Sequence, residues 1–158
     1  MKLNTKPLAQ IELGFPVIHA GNYHVLIMGD KLEVKPNKAG DGNNLFIMLK
    51  VLDNPVTRFK DGESLENKGQ IVVTRYISLK PTPDYDPDRA LKELAVAIGH
   101  PQDEDLELDH LRNKVCMAKI SVQPKRKDEA TGKEYDESNS VDRFTPIPED
   151  DTFTPPPI

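Results

Sequence analysis

One segment of the chain can only be a helix. In DPDRALKELAVAIGHP, residues 86–101, the apolar residues Leu91, Leu94, Ala95 and Ile98 recur at i, i+3, i+4 and i+7. That spacing puts them on one face of a 3.6-residue turn. Asp86 stands where an N-cap carboxylate accepts an orphan amide, and Pro87 follows where a missing N–H costs nothing. Gly99 and Pro101 supply the stop. Every other patterned segment has period two. GNYHVLIMGDKLEVKP (21–36) alternates through Tyr23, Val25 and Ile27, with a bend expected at Gly29-Asp30 before Leu32 and Val34. LFIMLKVLD (45–53) is apolar on both faces except at Lys50, as a central strand would be. QIVVTRYISLK (70–80) sets Ile71, Val73, Ile77 and Leu79 on one face, interrupted by Arg75. Its other face holds Thr74, Tyr76, Ser78 and Lys80. KVCMAKISVQP (114–124) and SVDRFTPI (140–147) complete five predicted strands. Residues 1–20 have no clear period, 37–44 is a turn cluster, 54–69 is a polar loop, and KRKDEATGKEYDES turns at Thr131-Gly132.

The order is therefore three strands, one helix, two strands. It predicts a mainly β, five-stranded, partly open barrel of the OB-fold type, with the helix between strands three and four. A four-stranded sheet with a packed helix gives a similar pattern. The division expected is a nucleic-acid-binding domain over residues 1–146 and a flexible, acidic, Pro-rich tail over 147–158, the latter disordered by composition.

No 18-residue apolar run is present, so no membrane partner is expected. The N-terminus lacks the apolar core of a secretory signal. One cysteine, Cys116, excludes an intrachain disulfide and fits a reducing compartment, hence cytoplasm. Net charge is −5, which taken whole opposes a nucleic-acid partner. The charge is segregated, however. Residues 81–111 hold nine acids against Arg89 and Lys92, and the tail adds Glu149, Asp150 and Asp151. The remainder is basic, and the stretches 68–80 and 112–127 contain no acid.

Chemistry beyond binding finds little support. His19, His24, His100 and His110 show no ligand spacing and read as surface histidines. Cys116 shares a strand face with Ala118 and Ile120 and reads as an inert buried thiol. AGDGNN lacks the Lys-Ser/Thr of a phosphate loop, and DEDLELD lacks the calcium-loop pattern. No catalytic residue, metal or cofactor is assigned, and an enzyme is the minority reading. Single-stranded nucleic acid, in contrast, needs a basic groove with aromatic faces on which bases stack. Lys35, Lys38, Phe46, Lys50, Arg75, Tyr76, Lys80, Lys119, Lys125 and Arg126 fall on the strands and loops that form the ligand face of an OB barrel. The bland alternative is that Phe46 and Tyr76 are core residues and the lysines ordinary solvent coating.

The tail EDDTFTPPPI sets Glu149, Asp150 and Asp151 before Phe153 and Ile158. A basic groove would hold such a segment when empty, and nucleic acid would displace it and free it to recruit partners. A plain solubilising terminus fits the same composition. Taken together, GNYHVLIM, NLFIMLKVLD, IVVTRYISLK, DPDRALKELAVAIG, KVCMAKISV and EDDTF resemble, in order and spacing, the single-stranded DNA-binding proteins of bacteriophages, small OB-fold proteins with an acidic tail carrying an aromatic residue. The resemblance runs from about Gly21 to Ile158. It implies sequence-independent single-stranded DNA binding in replication or recombination, in the host cytoplasm, with the tail contacting a polymerase or recombinase. A homodimer is compatible with it. Such tails commonly end at the aromatic residue, whereas Phe153 is followed by TPPPI, so Phe153 and Ile158 both stand as the anchor. The competing expectation is a structural or inhibitory protein-interaction module, a virion component or DNA mimic, that uses the acids between Asp84 and Asp109 and binds no nucleic acid.

Overall fold

The computed structural model describes residues 1–4, 16–151 and 153; Ile158 and most of the unpatterned lead-in, residues 5–15, lie outside them. The first predicted strand is divided where a bend was expected. β1 (Gly21–Ile27) leads through a 3₁₀ turn at Gly29–Lys31 into β2 (Glu33–Pro36). β3 (Asn43–Val51) is central, as its two apolar faces require. β2 pairs with its first half and β1 with its last residues, while β6 (Val72–Ser78) runs antiparallel along its other edge. β1 also pairs with β7 (Val115–Gln123), and β7 with β10 (Ser138–Thr145). The resulting order is β10-β7-β1-β3-β2, with β6 on β3. Two ribbons fill loops that the sequence leaves irregular: β4 (Val56–Thr57) with β5 (Ser64–Leu65), and β8 (Arg126–Lys127) with β9 (Glu134–Tyr135). The second turns at Thr131-Gly132, as expected, with Gly132 at φ 71°.

The sheet is open, not a closed barrel. β6 and β10 pack against one another, but among the described residues no hydrogen-bonded ladder joins them. The helix α1 (Pro87–Ile98) packs on β10, β7 and β6 beside that seam. Its caps are the ones the sequence announces: the Asp86 side chain accepts from the Asp88 amide at 3.0 Å, and Gly99 takes the left-handed conformation at φ 76°. A polar contact locks helix to strand where Glu93 Oε1 accepts the Phe144 amide at 2.7 Å. A short second helix, α2 (Leu108–Leu111), follows. The core lies between sheet and helix: Val25, Ile27, Ile47, Leu49, Cys116, Ala118, Ile120, Phe144 and Leu94 are all buried. No described helix is long and apolar enough to cross a membrane.

Candidate nucleic-acid interface

Strand alternation decides what the outer face of the sheet carries. Leu45, Ile47, Leu49 and Val51 of β3 are buried, so Asn44, Phe46, Met48 and Lys50 point the other way. Across the ladder they meet Ser78, Tyr76, Thr74 and Val72 of β6. Phe46 and Tyr76 therefore stand side by side, with ring centroids 4.9 Å apart and planes tilted by 42°. Tyr76 is 56% exposed. The Lys35 ammonium, brought in by β2, lies 4.4 Å from the Phe46 ring centroid and 2.9 Å from Glu33. A cation and two aromatic faces on an open strand pair is the composition that holds bases and phosphates. Lys50 lies on the same face, level with Leu26 and Val72.

The outer face continues across β1 to β7 and β10. Lys119 pairs with Asn22 on one side and Arg143 on the other. Asn22, Met117, Lys119, Arg143, Thr145 and Pro148 line one shallow pocket. Among the described residues neither Lys119 nor Arg143 meets a carboxylate, which leaves two cations for an anionic ligand. Arg143 escapes a period-two reading because the register shifts between Val141 and Arg143.

Other candidates are placed differently. Arg75 is half-buried on the inner side of β6, its guanidinium 5.0 Å from the Phe144 ring; it supports the core seam and does not belong to the outer face. Lys80 forms an ion pair with Asp41 and packs against Gly42, where a Cβ would lie 2.9 Å from Lys80 Cβ. It braces the turn at 37–42, on which Lys38 is exposed. Lys125 is exposed at the start of the β8–β9 ribbon, 4.0 Å from Glu137. Arg126 lies 4.8 Å from the Tyr135 ring, and Lys133 lies 5.0 Å from it. Tyr135 and Lys133 were not singled out by sequence. The signal was there, a basic run and a Lys-x-Tyr on either side of a Thr-Gly turn, but only cross-strand pairing brings them together.

The tail is not free along its whole length. The Asp151 amide donates to Pro148 O at 3.0 Å, and Asp151 Oδ1 accepts the Phe153 amide at 2.8 Å. This turn sends both side chains to His24 on β1. Asp151 Oδ2 lies 2.7 Å from His24 Nε2, and the Phe153 ring stacks on the imidazole at 3.8 Å and 19°. Asp53 completes the arrangement, its Oδ2 3.1 Å from His24 Nδ1 and its Oδ1 accepting the His24 amide at 2.6 Å. His24 is thus no surface histidine: it is 9% exposed, between two carboxylates. Burial pushes the imidazole toward its neutral form, but the hydrogen bonds and charges of Asp53 and Asp151 outweigh it, and its pKa is raised. That of Asp151 is lowered, by the Phe153 amide and then by His24. Glu149 and Asp150 are exposed.

Among the described residues no group of three His, Cys, Asp or Glu side chains is placed to hold a metal ion. His100 and His110 stand 4.7 Å apart, tied to loop backbone through Asp105 O and the Glu107 amide. The Cys116 thiol is buried, and burial pushes its pKa up to about 12. No curated protein matches the chain. Residues 5–153 match the family model DUF669, described as a protein of unknown function, and the chain belongs to that family.

Proposed function

We propose that this protein binds single-stranded DNA without sequence preference, as a non-enzymatic factor in phage DNA replication or recombination. In this reading the five long strands form an OB-type barrel, partly open at the β6–β10 seam, with its ligand on the outer face of β3 and β6. One observation carries it: the half-buried Phe46 beside the exposed Tyr76, with the Lys35 ammonium over the Phe46 ring, continued along the sheet by Lys50, Lys119 and Arg143. Bases stack on the rings, and the lysines and arginine meet phosphates. Lys38, Lys125 and Arg126 extend the path through the flanking loops. The acidic tail leaves the face when DNA arrives and recruits replication or recombination proteins.

Fluorescence anisotropy of labelled oligo-dT tests the reading, single- and double-stranded, at low and moderate salt. Tight binding to the single strand alone, weakened steeply by salt as condensed counterions are released, is the expected result. No binding to either form would transfer the function to a second reading, a protein-interaction module. That reading draws on the exposed carboxylates Asp84, Asp86 and Asp88 at the start of α1 and Asp103, Glu104 and Asp105 beyond its end, which would meet a basic partner.

A further inference from the structure

We propose that the surface of β1 around His24 is a proton-gated receptor for an aspartate-x-phenylalanine motif, and that Asp151–Phe153 of this chain is its ligand. The site is built from three elements. β1 supplies the imidazole, buried on a strand whose register with β7 is fixed from Gly21 to Leu26. The segment just after β3 supplies Asp53, held in place because the adjacent Leu52 amide donates to His24 O at 2.9 Å. The tail supplies a carboxylate and a ring, turned to one side by the Asp151–Phe153 hydrogen bond.

The gating follows from hydrogen-bond inventory. Both ring nitrogens of His24 face carboxylate oxygens, which only accept. Both contacts are satisfied only when both nitrogens carry a proton, that is, in the imidazolium. A neutral ring would present a lone pair to one carboxylate. Asp53 is anchored a second time by the His24 amide, so Asp151 is the partner that leaves. Other charged or titratable groups on the packed elements do not compete for the ring: Lys50 stands opposite Leu26 on β3, Lys119 opposite Asn22 on β7, Arg143 beyond it on β10, and the Tyr23 hydroxyl donates to His19 O.

The raised pKa of His24 and the lowered pKa of Asp151 set the window. The imidazolium's contribution to docking is fully present below the ordinary histidine pKa and is lost as pH rises through the raised folded value. A second loss occurs in acid, as pH falls through the lowered value of Asp151. Between the ordinary and the raised value the docked-to-free ratio falls by at most about tenfold per pH unit, and it levels off above the raised value, where the ring is neutral in both states.

The test is an NMR titration of the full chain from pH 5.5 to 9, without oligonucleotide, following the Phe153 ring protons and the His24 Cε1–H. It therefore stands or falls apart from the DNA-binding reading. The expected result is a Phe153 ring-current displacement at pH 6 that collapses in step with the His24 titration. Asp151→Asn should lower the His24 midpoint and flatten the pH dependence of the Phe153 signals, and Phe153→Ala should also lower the His24 midpoint. Both substitutions lie in the tail, outside the core. Phe153 signals at random-coil positions at pH 6, or a displacement unchanged up to pH 9, would overturn the proposal.

Discussion

Replacing Tyr76 by alanine separates a binding role from a packing role, because the structure bounds the packing cost. The ring is 56% exposed and its aromatic neighbour is Phe46, at 4.9 Å. An aromatic pair contributes about 0.5–1.5 kcal/mol beyond area burial, and an exposed strand position forfeits little more. The loss of stability should therefore stay near 1 kcal/mol, against the roughly 5–15 kcal/mol of an ordinary domain. In a chain of this size that lowers Tm by about 2–4 °C. A base stacked on the same ring contributes about 1–3 kcal/mol by alanine substitution, or roughly 5- to 150-fold in Kd. Tyr76→Phe keeps the stacking face and should hold Kd within about twofold, well below a tenfold step of 1.4 kcal/mol. Because the two rings touch, Tyr76→Ala and Phe46→Ala should be non-additive in a double-mutant cycle. The assays are thermal denaturation and oligo-dT anisotropy on the same samples. A folded Tyr76→Ala protein with unchanged Kd would remove the aromatic pair from the interface and refute the reasoning.

Lys119→Ala and Arg143→Ala should each reduce the slope of log K against log salt by about 0.7, the single-strand value per phosphate contact, and together by about 1.4; oligo-dT titrations at several salt concentrations read this directly. Arg75→Met should leave oligo-dT affinity unchanged within about twofold, far below the effect of losing a stacked base, since Arg75 lies against Phe144 on the inner side. A clear loss of affinity in a protein of normal Tm would return Arg75 to the interface. Cys116, with its thiol pushed up to about 12, should remain unmodified by a thiol-specific disulfide reagent at pH 8 until the protein is unfolded.

What was legible in the sequence was whatever alternation or capping could encode. β3 shows its centrality in unbroken apolar residues, and α1 shows both its ends in Asp86, Pro87 and Gly99. Lys35, Phe46, Tyr76 and Lys50 share a face because β2, β3 and β6 keep strict register. Three things were beyond that kind of reading. β4, β5, β8 and β9 have two residues each, too few to alternate. In β10 a register shift turns Val141 and Phe144 inward together, three positions apart, so a period-two reading exposes Arg143 only by chance. Arg75 sits at an inward position of β6 where its planar head finds the Phe144 ring, and a cation on an apolar face gives no local sign of direction. The His24 site is the extreme case: its carboxylates come from 29 and 127 residues away, and no local pattern links them.

The segregation of charge now has a structural meaning. Strands β1, β3, β6 and β7 contain no aspartate or glutamate, while Lys50, Arg75 and Lys119 lie on them. The exposed acids of residues 84–109 sit on α1, α2 and their connecting loops. On β2 and β10 the two signs stand side by side, Glu33 with Lys35 and Asp142 with Arg143, while β3, β6 and β7 carry cations alone. On the outer face, Lys50 of β3 and Lys119 of β7 thus stand on strands without a carboxylate in a protein of net charge −5, and local charge of that kind, not the total, bears on the approach of an anionic ligand. The carboxylates that do reach β1, Asp53 and Asp151, both go to His24 and, among the described residues, leave Lys119 and Arg143 without a carboxylate partner. Tail docking therefore covers part of the face without quenching its cations. In the proposed DNA-binding reading, a strand meets Lys119 and Arg143 while the tail is still docked, and displaces it stepwise without waiting for it to leave.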